Sequence, residues 1–238
     1  GNYQQGLINF EKSLQINKKL NDQKGIATTF GNIGIVYWNQ GDYPRALSYY
    51  FRALEIDNVL GNKKGIASHL GNIGIVYKEL GDYPKALSYY FRGLEIDSSL
   101  GNKNRIASHL GNIGIVYDEQ GNHLKALSYY FRALELDSVL GNKNKIASHL
   151  ANIGVVYHEQ GDYHKAIAYY FRALEMDSVL GNKRGIAIKL GNIGSLYTKT
   201  KNYEKAELCL KQALDISIDI GYLGGSMDWH KYLSELYA

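Results

Sequence analysis

A single cysteine, Cys209, stands among the 238 residues. No disulfide can form within the chain, and such usage fits a reducing compartment, so a cytoplasmic location is expected. Proline is nearly missing as well. Pro44 and Pro84 are its two occurrences, so long helices meet little obstruction. No apolar run approaches the ~20 residues that a membrane span needs, and no membrane partner is expected. Charge gives no strong signal of either sign. Lys plus Arg number 27 against 23 for Asp plus Glu, a net +4, which is too balanced to point to nucleic acid. No Ser/His/Asp or Cys/His set recurs in register. The reading is therefore of a protein without catalytic residues, cofactor or metal.

Tyrosine, at 21, and glycine, at 26, are what the chain has in plenty. A repeat accounts for both. Written in blocks of 40 (1–40, 41–80, 81–120, 121–160, 161–200 and 201–238), the sequence aligns with itself without a gap. Blocks 41–80 and 81–120 differ at eight of 40 positions, while the two outer blocks diverge more. Tyr3, Tyr43, Tyr83, Tyr163 and Tyr203 share one column, with His123 in the sixth place.

Each block spells two helices. One opens at Asp42, Asp82 or Asp162, or at Asn2, Asn122 or Asn202, whose short side-chain oxygens suit an N-cap. Pro44 and Pro84 fall in its first turn, where no amide hydrogen is missed. Tyr83, Ala86, Leu87, Tyr90, Phe91 and Leu94 then recur at helical spacing. Gly61, Gly101, Gly141 and Gly181 stop that helix, and Asn62, Asn102, Asn142 and Asn182 cap the next, which ends before Gly81 and its equivalents. About 17 residues make each helix ~26 Å long. Antiparallel pairs in tandem predict an all-α fold, an α-solenoid of about twelve helices, in which neighbours stack to bury what no pair buries alone.

The spacing of Leu70, Ile73, Gly74, Tyr77, Gly81, Tyr83, Ala86, Tyr90 and Gly93 resembles the tetratricopeptide repeat. Gly93 departs from the usual alanine, which Ala53, Ala133 and Ala173 supply. The repeat is longer than that family's usual one, with the extra residues near L-G-N-K, and resembles the long-repeat group of the Pins, kinesin light chain and bacterial signalling kind. The resemblance covers the whole chain. It implies one right-handed solenoid over 1–238 that binds peptides or proteins and carries no catalytic residues. Helices near 22–39, 62–79, 102–119, 142–159 and 182–199 are the first helices of five pairs. The sequence opens on a second helix and closes on a first helix (222–238), which reads as part of a longer protein. The last helix carries Asp228, His230, Lys231, Ser234 and Glu235 and reads as a polar cap.

The phrase G-N-I-G invites comparison with a phosphate loop. No strand precedes it and the G-x-G-x-x-G spacing is missing, so the glycines are read as structural. Gly34, Gly74, Gly114, Gly154 and Gly194 are placed where the helices of a pair cross, each costing ~1 kcal/mol of helix propensity in exchange for closer approach. The column of Gly31, Gly71, Gly111, Ala151 and Gly191 needs only smallness and is read as keeping a groove open.

On a helical wheel the side opposite the core stripe takes Lys64, Ser68, Gly71, Asn72, Ile75 and Glu79. In the family that the chain resembles this side lines a concave groove. Asn32, Asn72, Asn112, Asn152 and Asn192 form a ladder there that could hold an extended peptide backbone, since each amide both donates and accepts. The alternative is that they link neighbouring helices. Ser68, Ser108 and Ser148 give polar walls, and Ile35, Ile75, Ile115 and Val155 an apolar strip. Lys24, Lys64 and Arg184, with Arg105 and Lys145, make one rim basic; Glu79, Glu119 and Glu159 make the other acidic. Mixed charge suits the groove better than an acidic chaperone tail, whose carboxylate clamp is matched only at the Asn column. His69, His109 and His149 share a column, but helix spacing of ~8–10 Å keeps them from one zinc ion, so they are read as inter-repeat packing. Tyr90 and Phe91 are expected to face the core and the next repeat, and Tyr89, with Ser88 and Arg92, either the outer surface, as a second candidate contact face, or the seam between repeats. The functional expectation is a scaffold that binds an unidentified protein or peptide. The rival is head-to-tail self-association through residues 2–20, by Leu7, Phe10 and Leu14, and 222–238.

Overall fold

In the computed structural model the backbone of residues 3–237 is described, as are the side chains of 3–234. Asn2 and the side chain of Glu235 lie outside that set. Twelve helices and no strand are found among the described residues: α1 (Tyr3–Lys19), α2 (Gln23–Asn39), α3 (Tyr43–Val59), α4 (Lys63–Glu79), α5 (Tyr83–Ser99), α6 (Lys103–Glu119), α7 (His123–Leu140), α8 (Lys143–Glu159), α9 (Tyr163–Val179), α10 (Lys183–Lys199), α11 (Tyr203–Asp219) and α12 (Leu223–Tyr237). The chain forms two compact units, residues 1–120 and 121–238.

Local chemistry sets these bounds. The Asp42 carboxylate accepts from the Arg45 amide and the Asn62 oxygen from the Gly65 amide, as the capping rule requires. Asn142 and Asn202 stand at the same position without making that bond. Helices α1 to α11 end through a residue in the left-handed region, Gly61 at φ 62° for example. Where the outer blocks lack the glycine, Asn21 and Lys201 adopt the same φ at a steric cost.

Even-numbered helices are the first members of the pairs, and α2·α3 and α4·α5 in the first unit and α8·α9 and α10·α11 in the second pack antiparallel. Within the first unit α2 also touches α4 and α4 touches α6; within the second α10 touches α12. Such close rows of first helices form one face of each unit, with second helices behind. Leu70, Ile73 and Val76 of α4 are fully buried against Ala46, Tyr50 and Leu54 of α3. The corresponding cluster of the second unit joins Leu190, Ile193 and Leu196 to Ile167, Tyr170, Leu210 and Trp229.

The second glycine column works differently from the expected backbone approach. A Cβ at Gly74 would lie 2.7 to 3.1 Å from the ring of Tyr90 on the paired helix, and at Gly154 2.8 to 3.2 Å from Tyr170. The glycine thus makes a slot for a tyrosine ring laid flat on the first helix. Tyr50, Tyr90 and Tyr170 are 1–2% exposed in consequence, and burial raises their hydroxyl pKa, to about 12 for Tyr170. Phe91 does not share the core. It is 38% exposed, as is Phe51, whose ring meets the edge of Tyr89 at 6.2 Å. Of its two expected places Tyr89 takes the seam, stacked on Tyr77 at 5.5 Å.

Leu7, Phe10 and Leu14 of α1, expected to form a free face, pack against Ile26, Phe30 and Ile33 of α2. A helix facing one neighbour turns its apolar stripe there, and Tyr3, Ile8, Ile16 and Leu20 remain exposed. Asp228, His230, Lys231 and Ser234 of α12 are exposed. No described helix is long and apolar enough to cross a membrane.

Replacing Gly74 by Ala tests the slot. The exchange gains ~1 kcal/mol of helix propensity. Overpacking against the fixed Tyr90 ring costs about 1–3 kcal/mol. The urea midpoint is expected to fall; a raised midpoint would show that the ring gives way freely.

Candidate functional site

Beneath the face of the first helices runs a column of buried polar pairs, each joining a second helix to the first helix that follows it. Asp57 is 3.1 Å from the Nε2 of His69, Asp97 3.1 Å from that of His109, and Asp137 3.0 Å from that of His149. Lys189 replaces the histidine beside Asp177, with its ammonium 3.1 Å from the carboxylate. In the outer blocks the amide of Asn17 donates to Thr29 at 3.2 Å, and Ser217 lies opposite Trp229. All pairs are 12 residues apart, and in the two outer blocks both members change together, while Asp177 is kept where lysine replaces the histidine. That in-register exchange was the signal for the aspartates, which helical periodicity of one helix does not display.

The histidines explain the first glycine column. A Cβ at Gly31 would come within 2.8 Å of His69 Cε1, and one at Gly71 within 3.1 Å of His109 Cε1. Gly191 faces Trp229 in the same way. Ala151 stands in the block before Lys189, the one member of the column that is neither ring nor threonine and whose flexible chain needs no flat slot. These glycines therefore seat the next repeat's ring, and Gly31 and Gly71 also line the cavities along the first helices. At Gly93 a Cβ would lie 2.6 Å from His109 Cε1, yet Ala53 and Ala133 hold the same position beside His69 and His149, so the histidine does not explain that departure. No metal role is needed for the histidines, which pack between repeats as expected.

Above this layer stands the asparagine row. Asn32, Asn72 and Asn112 are half-buried on α2, α4 and α6, and Asn152 and Asn192 hold the same positions on α8 and α10. Among the described residues none of the five side chains makes a hydrogen bond within the protein. Their two-sided hydrogen-bonding capacity is unspent, which leaves the helix-linking alternative without support. In the first unit three adjoining cavities follow the row. One of 370 Å³ lies between Phe10, Asn17 and Asn32; one of 340 Å³ between Asn32, Lys64, Ser68 and Asn72; one of 160 Å³ between Ser68, Asn72, Ile75, Ser108 and Asn112.

The walls are less uniform than the pattern implied. The hydroxyls of Ser108 and Ser148 donate to the carbonyls of Asn104 and Asn144 at 3.0 Å, so only Ser68 has its donor to offer. Ile35 is 41% exposed, and Ile75 and Ile115 are half-buried, giving the apolar strip. Lys24 and Lys64 are exposed at the basic rim, but Arg105 turns to Asp97 at 3.1 Å and to the Lys64 carbonyl at 2.9 Å. The acidic rim is partly neutralised, with the Lys78 ammonium 2.6 Å from Glu79 and 3.9 Å from Glu119. Cys209 is 8% exposed, and burial raises its thiol pKa, which keeps it a thiol at neutral pH.

A family model described as tetratricopeptide repeat matches residues 1–58, 60–138 and 141–219. No curated protein matches the chain. Among solved structures the chain is similar to BtubC from P. vanneervenii, with TM-score 0.82 and 21% identity over 93% of each chain. It is similar to the signal transduction ATPase PH0952 from Pyrococcus horikoshii, which has a tetratricopeptide repeat sensor, with TM-score 0.76 and 21% identity over 98% of this chain and 40% of that one. It is also similar to a Rap protein complexed with competence and sporulation factor, with TM-score 0.72 and 14% identity over 99% of this chain and 70% of that one.

The buried histidines carry a pH signature. Burial holds His69, His109 and His149 below their ordinary pKa of 6.5, against the raising effect of the paired aspartates; Arg105 lowers the first two further and Lys145 the third. Below pH 6.5 the unfolded chain takes up protons that the folded rings resist, so stability present above 6.5 is lost as the pH falls toward the folded pKa. Unfolding free energy from urea titration should decline from pH 7 to 5, by at most ~1.4 kcal/mol per ring per pH unit. A His69→Gln/His109→Gln protein should decline less steeply. Equal slopes in the two proteins would refute it.

Proposed function

The chain belongs to the tetratricopeptide repeat family, and from that membership we propose that it is a protein-interaction scaffold that holds an extended peptide segment along the asparagine row. The observation that carries this reading is the row itself: regularly repeated amides, half-buried, with no hydrogen bond spent inside the protein. Nothing in the fold uses them, and a half-buried amide that is only partly hydrated gains by accepting and donating to a main chain. A peptide backbone offers a donor and an acceptor at every residue. Backbone pairing gives affinity without reading side chains, and the cavities between successive asparagines admit the side chains that give selectivity. A Rap protein complexed with competence and sporulation factor has a similar fold, which fits the use of such a solenoid to hold a partner. The same mode of use fits Asn152 and Asn192 in the second unit.

An array of synthetic peptides of random sequence, probed with the labelled protein, tests it. The wild type is expected to select a subset. Asn72→Ala/Asn112→Ala should weaken those interactions tenfold or more, ~1.4 kcal/mol or above, with circular dichroism unchanged. Retention of the wild-type pattern and strength by the double variant would overturn the proposal.

A further inference from the structure

Asp57, Asp97, Asp137 and Asp177 are 0–2% exposed. Three of them have a basic side chain at ion-pair distance: Arg105 at 3.1 Å from Asp97, Lys145 at 4.0 Å from Asp137 and Lys189 at 3.1 Å from Asp177. Among the described residues Asp57 has no lysine or arginine at that distance. The sequence supplies the reason. Where Arg105 and Lys145 stand, the preceding repeat has Gly65, whose Cα lies against the Asp57 carboxylate. Asp57 takes a hydrogen bond from the Asn62 amide at 2.8 Å and pairs with the His69 ring at 3.1 Å. Burial keeps that ring neutral at neutral pH. A buried carboxylate served only by neutral donors lacks the compensation its three counterparts receive. It also borders the 340 Å³ cavity between Asn32 and Asn72.

We propose that this cavity seats a basic side chain of the bound segment, an arginine before a lysine, opposite Asp57 as Arg105 sits opposite Asp97. The proposal rests on the peptide reading of the asparagine row. Arginine is favoured because its planar fork offers five donors and sheds water more readily than an ammonium. Lys24, Lys64 and Arg105 also line the cavity and make its mouth positive. A purely basic peptide is therefore turned away. A segment with acidic residues two places to either side of the arginine, ~7 Å along an extended chain, answers both signs at once.

The probe is the acetylated and amidated pentapeptide Asp-Ala-Arg-Ala-Asp, with Asp-Ala-Ala-Ala-Asp as control, titrated to millimolar concentration into the isotope-labelled chain. Magnetic resonance follows the His69 ring and the Asn72 side-chain amide. The arginine peptide is expected to shift both signals, and the control to leave His69 in place. Gly65→Arg, whose side chain displaces the Asp57 carboxylate that a Cβ there meets and itself takes the seat, should abolish the His69 response. Asp57→Asn should do the same if Gly65→Arg does not fold. Equal His69 responses to the two peptides, or a full response in the folded variants, would overturn the proposal. A shift at Asn72 with none at His69 overturns the basic seat and leaves the asparagine row standing, so the two readings fail separately.

Discussion

Everything in this molecule depends on rings lying directly on helix backbone. Each first helix from α2 to α10 carries two small residues three apart. On α2 and α4, where both are glycine, each receives a ring from a different neighbour, while Gly194 of α10 receives Leu210. Gly74 receives Tyr90 from its own pair, and Gly71 receives His109 from the next pair. One position closes the pair and the other joins pair to pair. A methyl group at either would meet a ring whose own burial prevents retreat. The helix gives up ~1 kcal/mol of propensity at each glycine, and the burial of a whole tyrosine ring outweighs it.

The polar pairs follow from that packing. A histidine ring brought against Gly71 is cut off from water, and its Nε2 needs a partner, which Asp97 provides from the helix before. The aspartate, buried in turn, draws Arg105, or the capping asparagine in other repeats, where Asn142 donates to Asp137 at 2.7 Å. One steric choice thus fixes a chain of electrostatic ones. Where the ring changes, the chain of consequences changes with it, as Lys189 beside Asp177 shows together with Ala151.

Helix bounds were legible in the sequence because they are local. Asp42 caps its own helix, Gly61 ends it, and both are read within four residues. Which side chain faces the core was legible from periodicity for Leu70 and Ile73 but failed for Phe91, which sits on the margin of the stripe and ends 38% exposed. The partner across a gap is what periodicity leaves out. Gly34 meets Tyr50 sixteen residues on, and Gly31 meets His69 thirty-eight residues on, distances set by the turn of the fold rather than by any local rule. So the first glycine could be read as lining the groove, while its second role, seating the ring of the next repeat, stayed hidden. The asparagine row was legible as a candidate site because the wheel leaves it on the face away from the core, and its lack of internal partners is the part that only coordinates reveal.

The differences between repeats are as instructive as their sameness. Among the eight positions at which blocks 41–80 and 81–120 differ, the glycine slots of the first helices, their tyrosine and histidine, and the buried aspartate are all kept. The changes at 64/104, 65/105 and 78/118 fall instead at the two ends of the first helices, on the groove rims. In each middle repeat one basic residue is retained at that corner, but it moves: Lys64 beside Gly65, Asn104 beside Arg105, Asn144 beside Lys145. At the first position the charge points outward to solvent; at the second it turns down onto the buried aspartate. A one-residue step thus decides whether a repeat's buried carboxylate gains a charged partner beside its neutral donors, as Asp97 does and Asp57 does not. A constant framework in this way carries chemically distinct surroundings beside Asn72 and Asn112.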